Sequence, residues 1–92
     1  MSEKETKKSP GEWTDEVVSD NKTLVLHNDD VHTFDYVIDA LMEICQHEYI
    51  QASQCATITH YKGKCDIKEG NFPALKRMKD ALVSRELTVT ID

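Results

Sequence analysis

Apolar and polar residues follow two different periods along this chain, and the periods separate strands from helices. Residues 23–27 are β-branched or apolar and lead into Asn-Asp-Asp at 28–30, a triplet of turn-forming residues, so we predict a first strand there. The segments Lys64–Lys68 and Leu87–Ile91 alternate between polar and apolar positions. They predict a second strand at a sheet edge and a third strand that closes the chain.

Three helical patterns lie between these strands. The first predicted helix spans residues 34–47 with Thr33 as its cap, the second ends near Tyr61, before Gly63, and the third starts at Pro73 and ends near Arg85. The apolar positions recur at helical spacing. The predicted stripes are Phe34, Val37, Ile38, Leu41, Ile44 and Cys45 in the first helix, Ala52, Cys55, Ala56 and Thr59 in the second, and Leu75, Met78, Leu82 and Val83 in the third.

The resulting order, β-α-α-β-α-β, predicts an α+β fold in which a three-stranded antiparallel sheet packs against three helices. We assign this core domain to residues 23–92. Residues 1–22 contain Pro10, Gly11 and few apolar side chains, so they cannot bury enough surface to offset the entropy of ordering. They are therefore predicted to form a flexible N-terminal arm, with Trp13 as a candidate anchor for a partner.

Composition narrows the class of protein. Of 92 residues, 39% are hydrophobic and 30% are charged, with a net charge of −6, which disfavours binding to nucleic acid because phosphate contacts need clustered Lys or Arg. No apolar run approaches the ~18–20 residues that cross a bilayer. The three cysteines show no CxxC spacing and the Met1 end lacks a secretory signal pattern, so we expect a cytoplasmic protein with reduced thiols.

Metal binding and catalysis find little support in the residue spacing. Counted from Asn28, a calcium loop would need glycine where Thr33 stands and glutamate where Asp39 stands. The histidines and cysteines do not form a CxxC or HExxH pattern. Cys55 and His60 share a helix but point about 140° apart, so they cannot act as a nucleophile and its base. We expect no metal, no cofactor and no enzymatic activity.

The triplet at 28–30 leaves two interpretations open from the residues alone. Its carboxylates could cap the following helix, or they could receive a cation. A primary ammonium has three donors, and the Asn28 amide oxygen, the Asp30 carboxylate and a neutral His60 nitrogen could each accept one.

Two motifs resemble the ClpS family of protease adaptors. The segment 24–38 contains the family's NDD triplet followed by a helix, and His60-Tyr61-Lys62-Gly63-Lys64 is similar to its HYxGK motif, at the family's separation. The resemblance covers about residues 23–92. It implies a non-enzymatic adaptor that binds proteins with bulky hydrophobic N-terminal residues (N-degrons) and hands them to the Clp protease.

The resemblance also implies roles for individual residues. Asn28, Asp30 and His60 would hold the α-amino group of the substrate, with Asp29 as a nearby acidic contributor. A hydrophobic pocket would then receive the first side chain of the substrate. The residues that match its lining are Phe34, Val37, Ala56, Thr59, Leu87 and His32.

Several positions depart from the family pattern. His27 and His32 stand where an apolar residue and a threonine are common, Ala56 replaces a larger methionine, and Thr59 replaces valine. We therefore expect a roomier and more polar pocket, with a shifted or broadened preference for the first residue.

Partners follow from the same resemblance. The expected partner is the N-terminal domain of a ClpA- or ClpC-type AAA+ unfoldase, for which Lys76 and Lys79 on the third helix are candidate contacts, with the N-terminal arm assisting handover. A second hypothesis is a regulator that docks on the unfoldase without binding N-degrons. A third is a small metal-binding protein, suggested only by the histidines.

Overall fold

The computed structural model describes residues 21–92, and its elements follow the predicted order. These are β1 (Lys22–His27), α1 (Phe34–Cys45), α2 (Tyr49–Lys62), β2 (Lys64–Gly70), α3 (Phe72–Ser84) and β3 (Thr88–Ile91). The predicted arm over residues 1–22, including Trp13, lies outside the described residues except for its last two. Lys22 already belongs to β1.

The sheet is antiparallel and runs in the order β2-β1-β3, so β1 is the central strand. Both predicted later strands pair with it, and β2 lies at an edge as expected. The centre of β1 is buried throughout at Leu24, Val25 and Leu26, whereas β2 alternates, with Cys65 and Ile67 buried between exposed neighbours. This difference follows from position, because a central strand is covered by neighbours on both sides.

Local signals set most of the helix boundaries. The Thr33 hydroxyl accepts a hydrogen bond from the Tyr36 N–H at 3.1 Å and begins α1, as predicted. The α1 helix ends at Cys45, two residues before the predicted end, because Gln46 adopts a left-handed conformation with φ 60°. Gly63, with φ 92°, ends α2 in the same way and uses the freedom that glycine has at positive φ.

The core lies where the helices meet the sheet. The α1 helix packs against α2 and α3, α2 packs against β2, and α3 contacts all three strands. Leu41, Leu75 and Leu82 are completely or almost completely buried there. The predicted stripe of α3 was wrong at Val83, which is 48% exposed. Helical spacing included Val83 in the stripe. In the structure Leu82 occupies the inner face of α3, and Val83 at the next position is exposed.

Candidate functional site

Asp29 is held in a tight turn directly after β1. Its Oδ1 atom accepts hydrogen bonds from the Val31 N–H at 2.9 Å and the His32 N–H at 3.0 Å, and the His32 ring nitrogen Nδ1 lies 3.1 Å away. Because an aspartate that bonds backbone groups two and three residues ahead closes an Asx turn, the sequence itself bends the chain here. The helix cap is Thr33. Neither carboxylate of the triplet therefore caps α1.

The surroundings of Asp29 favour its ionised form. Partial burial acts to raise the pKa of its carboxyl group, but the hydrogen bonds from His32 and Val31 together outweigh burial and leave the pKa below its ordinary value. The carboxylate is therefore charged at neutral pH. Its second oxygen, Oδ2, has a 3.2 Å contact with His32 Nδ1 and retains acceptor capacity toward a ligand.

Strand pairing brings the two sequence motifs together. His27 lies opposite Lys64 in the register of β1 and β2, and the Asn28 N–H donates a hydrogen bond to the Gly63 carbonyl oxygen at 2.9 Å. The triplet is thereby fixed against the end of α2. His60 lies in the last turn of that helix, so its imidazole is presented beside the end of β1.

A cavity of about 200 Å³ opens at this junction. Its floor is formed by buried side chains from β1, α2 and the segment before β3: Leu26, Ala56, Thr59 and Leu87. Its rim carries exposed or half-buried polar and aromatic side chains: His27, Asn28, Asp29, His32, Phe34 and His60, with Val37 half-buried beside them. The cavity therefore combines an apolar interior with an acidic, hydrogen-bonding mouth.

The structure brings together every residue predicted for this site except one. Asp30 is exposed and does not line the cavity, whereas Asp29 does. The assignment of the amine contact to Asp30, with Asp29 as a nearby contributor, stays a prediction; in this structure Asp29 lines the cavity while its Oδ1 closes the Asx turn. Leu26 also lines the cavity and was not assigned to it, although its place just before the triplet on β1 would have indicated it. His27, already expected to make the pocket more polar, lines the cavity as well.

A comparison with known protein families assigns the chain to one family. Residues 19–90 match the family model described as ATP-dependent Clp protease adaptor protein ClpS. The chain belongs to the ClpS family. None of the curated proteins matches this ClpS-family chain.

A solved structure agrees with this membership. The chain is similar to Agrobacterium tumefaciens ClpS2 bound to L-phenylalaninamide, with a TM-score of 0.73 and 16% sequence identity, covering 79% of this chain and 95% of that chain. At this level of identity the similarity establishes the ClpS fold. The predicted β-α-α-β-α-β architecture is thus confirmed.

The two unusual histidines of this ClpS-family chain are both engaged. His32 stacks on Tyr36 with ring centroids 4.6 Å apart, and the Tyr36 hydroxyl donates to the Arg85 carbonyl oxygen at 2.9 Å, linking the loop to the end of α3. His27 Nε2 lies 2.8 Å from the Thr90 hydroxyl oxygen on β3. Each ring is thereby oriented by a neighbour while still lining the cavity.

Two further structural findings concern metals and membranes. Among residues 21–92, no three His, Cys, Asp or Glu side chains are grouped closely enough to hold a metal ion. Within the same range, no helix is both long and apolar enough to cross a bilayer.

Proposed function

We propose that this chain is a non-enzymatic, cytoplasmic receptor for N-degrons, which binds proteins with a bulky hydrophobic first residue and delivers them to a ClpA- or ClpC-type unfoldase. The observation that carries the proposal is one cavity in which an apolar floor lies directly behind Asn28, Asp29 and His60. The A. tumefaciens ClpS2 structure, which holds L-phenylalaninamide, supports it by analogy of fold.

The rim matches the chemistry of a free N-terminus. An α-amino group has an ordinary pKa of about 7.7–8.0, so it is largely an ammonium with three donors at neutral pH. The Asn28 amide oxygen, the Asp29 carboxylate and an unprotonated His60 nitrogen each offer one acceptor. The carboxylate makes the strongest of these bonds because it is charged. Asp30 adds negative charge near the mouth without reaching into it.

The floor matches an apolar side chain. Burying a leucine or phenylalanine side chain contributes about 1.5–3 kcal/mol, which is too little for tight binding without the amine contacts. Recognition therefore requires both a free amine and a bulky first residue. An acetylated terminus carries no charge and offers a single donor, so it would leave Asp29 without a cationic partner.

Fluorescence anisotropy with a Leu-first peptide, labelled at its C-terminus, tests the proposal. Asp29→Asn should weaken binding by about 1.5–3 kcal/mol, the value of a hydrogen bond to a charged group, and acetylation should weaken it at least as much. The matched control is Asp30→Asn, which changes the neighbouring carboxylate outside the cavity and should lower the affinity much less. Equal binding of the free and acetylated peptides would exclude an N-degron receptor.

Delivery to the unfoldase would use a second surface of the chain. Lys76 and Lys79 border a second cavity, of about 320 Å³, together with Phe72, Thr90 and Ile91 on α3 and β3. We assign this face to the unfoldase, and residues 1–22 to substrate handover. Degradation of a Leu-first model substrate by ClpAP or ClpCP should require both the adaptor and these N-terminal residues. If the chain binds the unfoldase but no peptide, it would instead be a regulator that docks on the unfoldase without binding N-degrons.

A further inference from the structure

An exposed aromatic surface continues from the cavity mouth onto the outer face of α2. Phe34 and His60 contact edge-to-face with ring centroids 5.4 Å apart, and His60 and Tyr61 do the same at 4.9 Å. Phe34 and His60 line the cavity, while Tyr61 does not. The three rings therefore form one surface that begins inside the site and ends outside it.

The outer end of this surface is apolar and uncovered among the described residues. Tyr61 is 78% exposed, and Ile58, three positions earlier on α2, is 40% exposed. Residues three apart on a helix are neighbours on its surface, so these two side chains form a small patch in which Tyr61 adjoins His60 and Ile58 lies on the far side of Tyr61. The buried residues Ala56 and Thr59 of α2 face the core, and Ile58 and Tyr61 lie away from them around the helix. Exposed apolar side chains that adjoin a binding cavity offer a contact surface to a ligand that extends out of it.

The geometry of an extended peptide indicates which ligand residue reaches the patch. Successive side chains of an extended chain point to opposite sides, so the first and third side chains share one direction while the second points away. The third side chain lies about 6.6–6.8 Å along the chain from the first. A chain that runs from the mouth over the His60 ring would bring its third side chain to the Tyr61 ring, whose centroid lies 4.9 Å from that of His60.

We propose that Tyr61 and Ile58 form a second subsite, which binds an aromatic or large aliphatic side chain at the third residue of an N-degron. This inference rests on the proposed function, because the first residue and its amine set the position of the third. It extends recognition beyond the first residue. Peptides with the same first residue would then differ in affinity according to their third residue.

Three peptides with free N-termini test the subsite. All begin with leucine, and they carry Ser-Ser, Ser-Phe or Phe-Ser at positions two and three. Contact between the Phe ring at position three and the Tyr61 ring is expected to strengthen binding of the Ser-Phe peptide about threefold to tenfold over the Ser-Ser peptide. The Phe-Ser peptide should bind like Ser-Ser. Affinities are measured by competition against a labelled Leu-first peptide.

Variants on α2 distinguish a loss of the preference at the third residue from a loss of peptide binding as a whole. Tyr61→Ala should abolish the preference for Ser-Phe over Ser-Ser, while Tyr61→Phe, which keeps the ring, should retain the preference. Ile50→Ala is the matched control. Ile50 is also exposed, but it lies eleven positions from Tyr61, about 16 Å along the helix axis and beyond the reach of a third residue.

Each other outcome has a distinct meaning. A preference at the second position instead of the third, no preference at either, or an equal loss for all three peptides in Tyr61→Ala would overturn the subsite while leaving N-degron binding intact. Failure of all three peptides to bind the unaltered protein would overturn the proposed function itself, and the subsite with it. Circular dichroism melting of Tyr61→Ala should match the unaltered protein, since the side chain is largely exposed.

Discussion

The cavity at the end of β1 differs in depth and in charge from the second cavity, which we call the α3 groove. The α3 groove is lined by Phe72, Lys76, Lys79, Thr90 and Ile91. The cavity is the smaller, at about 200 Å³, but its floor consists of buried residues and its rim carries the ionised Asp29. The α3 groove encloses about 320 Å³, yet none of its lining residues is buried, and it carries Lys76 and Lys79. A cavity with a buried floor can remove one side chain from water, whereas a shallow groove suits the surface of a folded partner.

Under the proposed function, this contrast would let one chain bind an N-degron and an unfoldase without interference between them. The acidic mouth of the cavity attracts an ammonium group, and the lysines of the groove attract carboxylates. Lys76 forms an ion pair with Asp80, at 2.9 Å on the exposed surface of α3. An exposed pair of this kind contributes about 0–1 kcal/mol, so a partner can replace it at little cost.

The largest expected effect concerns the buried thiol next to the cavity floor. Cys65 lies opposite Leu26 in the sheet, and burial, with a further contribution from Cys55, raises its pKa to about 12. Since the thiolate is the reactive form, alkylation of Cys65 by iodoacetamide at pH 7 should be on the order of a thousandfold slower than that of an ordinary cysteine. Mass spectrometry of native and denatured protein measures this. Rapid labelling of native Cys65 would mean that water reaches the floor.

The second prediction compares the two faces of α3. Leu82→Ala removes a fully buried side chain and should lower the free energy of unfolding by about 2–5 kcal/mol. Val83→Ala, at the next position on the exposed face, should change it by less than about 0.5 kcal/mol. Urea denaturation of both variants checks the pair. Similar losses would show that the outer face of α3 is covered in solution.

A third prediction concerns the size of the cavity. Ala56 is buried in the floor, so Ala56→Met should reduce the space and weaken binding of a Trp-first peptide by about 1–3 kcal/mol through overpacking. A Leu-first peptide should lose less because it needs less room. Thr57→Met, at an exposed position of the same helix that does not line the cavity, is the control. An unchanged order of preference in Ala56→Met would contradict the predicted link between cavity volume and ligand choice.

The smallest expected effect concerns the affinity of the α3 groove for the unfoldase. Replacing both Lys76 and Lys79 by alanine should weaken unfoldase binding by about 0.5–1 kcal/mol per lysine, as for other rim charges, and leave the affinity for Leu-first peptides unchanged. Asp80→Ala frees Lys76 from its ion pair and should not weaken the unfoldase complex. Surface plasmon resonance with the isolated unfoldase domain measures both. A loss of peptide affinity in the lysine variant would show that the two sites are coupled.

Much of this protein was predictable from local sequence. Strand and helix periods differ enough to separate the six elements, and the signals at Thr33, Gly63 and Pro73 act on their own neighbours, so they operate without knowledge of the fold. The NDD and HYxGK motifs also indicated which parts of the chain meet. The β1–β2 register then places Asn28 against Gly63, as that pairing requires.

Other features depended on how the chain packs. Asp29 and Asp30 are chemically equivalent in the sequence, and only in the fold does Asp29 close the Asx turn and line the cavity while Asp30 is exposed. Likewise, periodicity places Leu82 and Val83 at adjacent edges of one stripe, but the space between α3 and the sheet accepts only Leu82. Periodicity describes angles around one element, whereas the direction of a carboxylate or the burial of a side chain depends on neighbours that are distant in sequence.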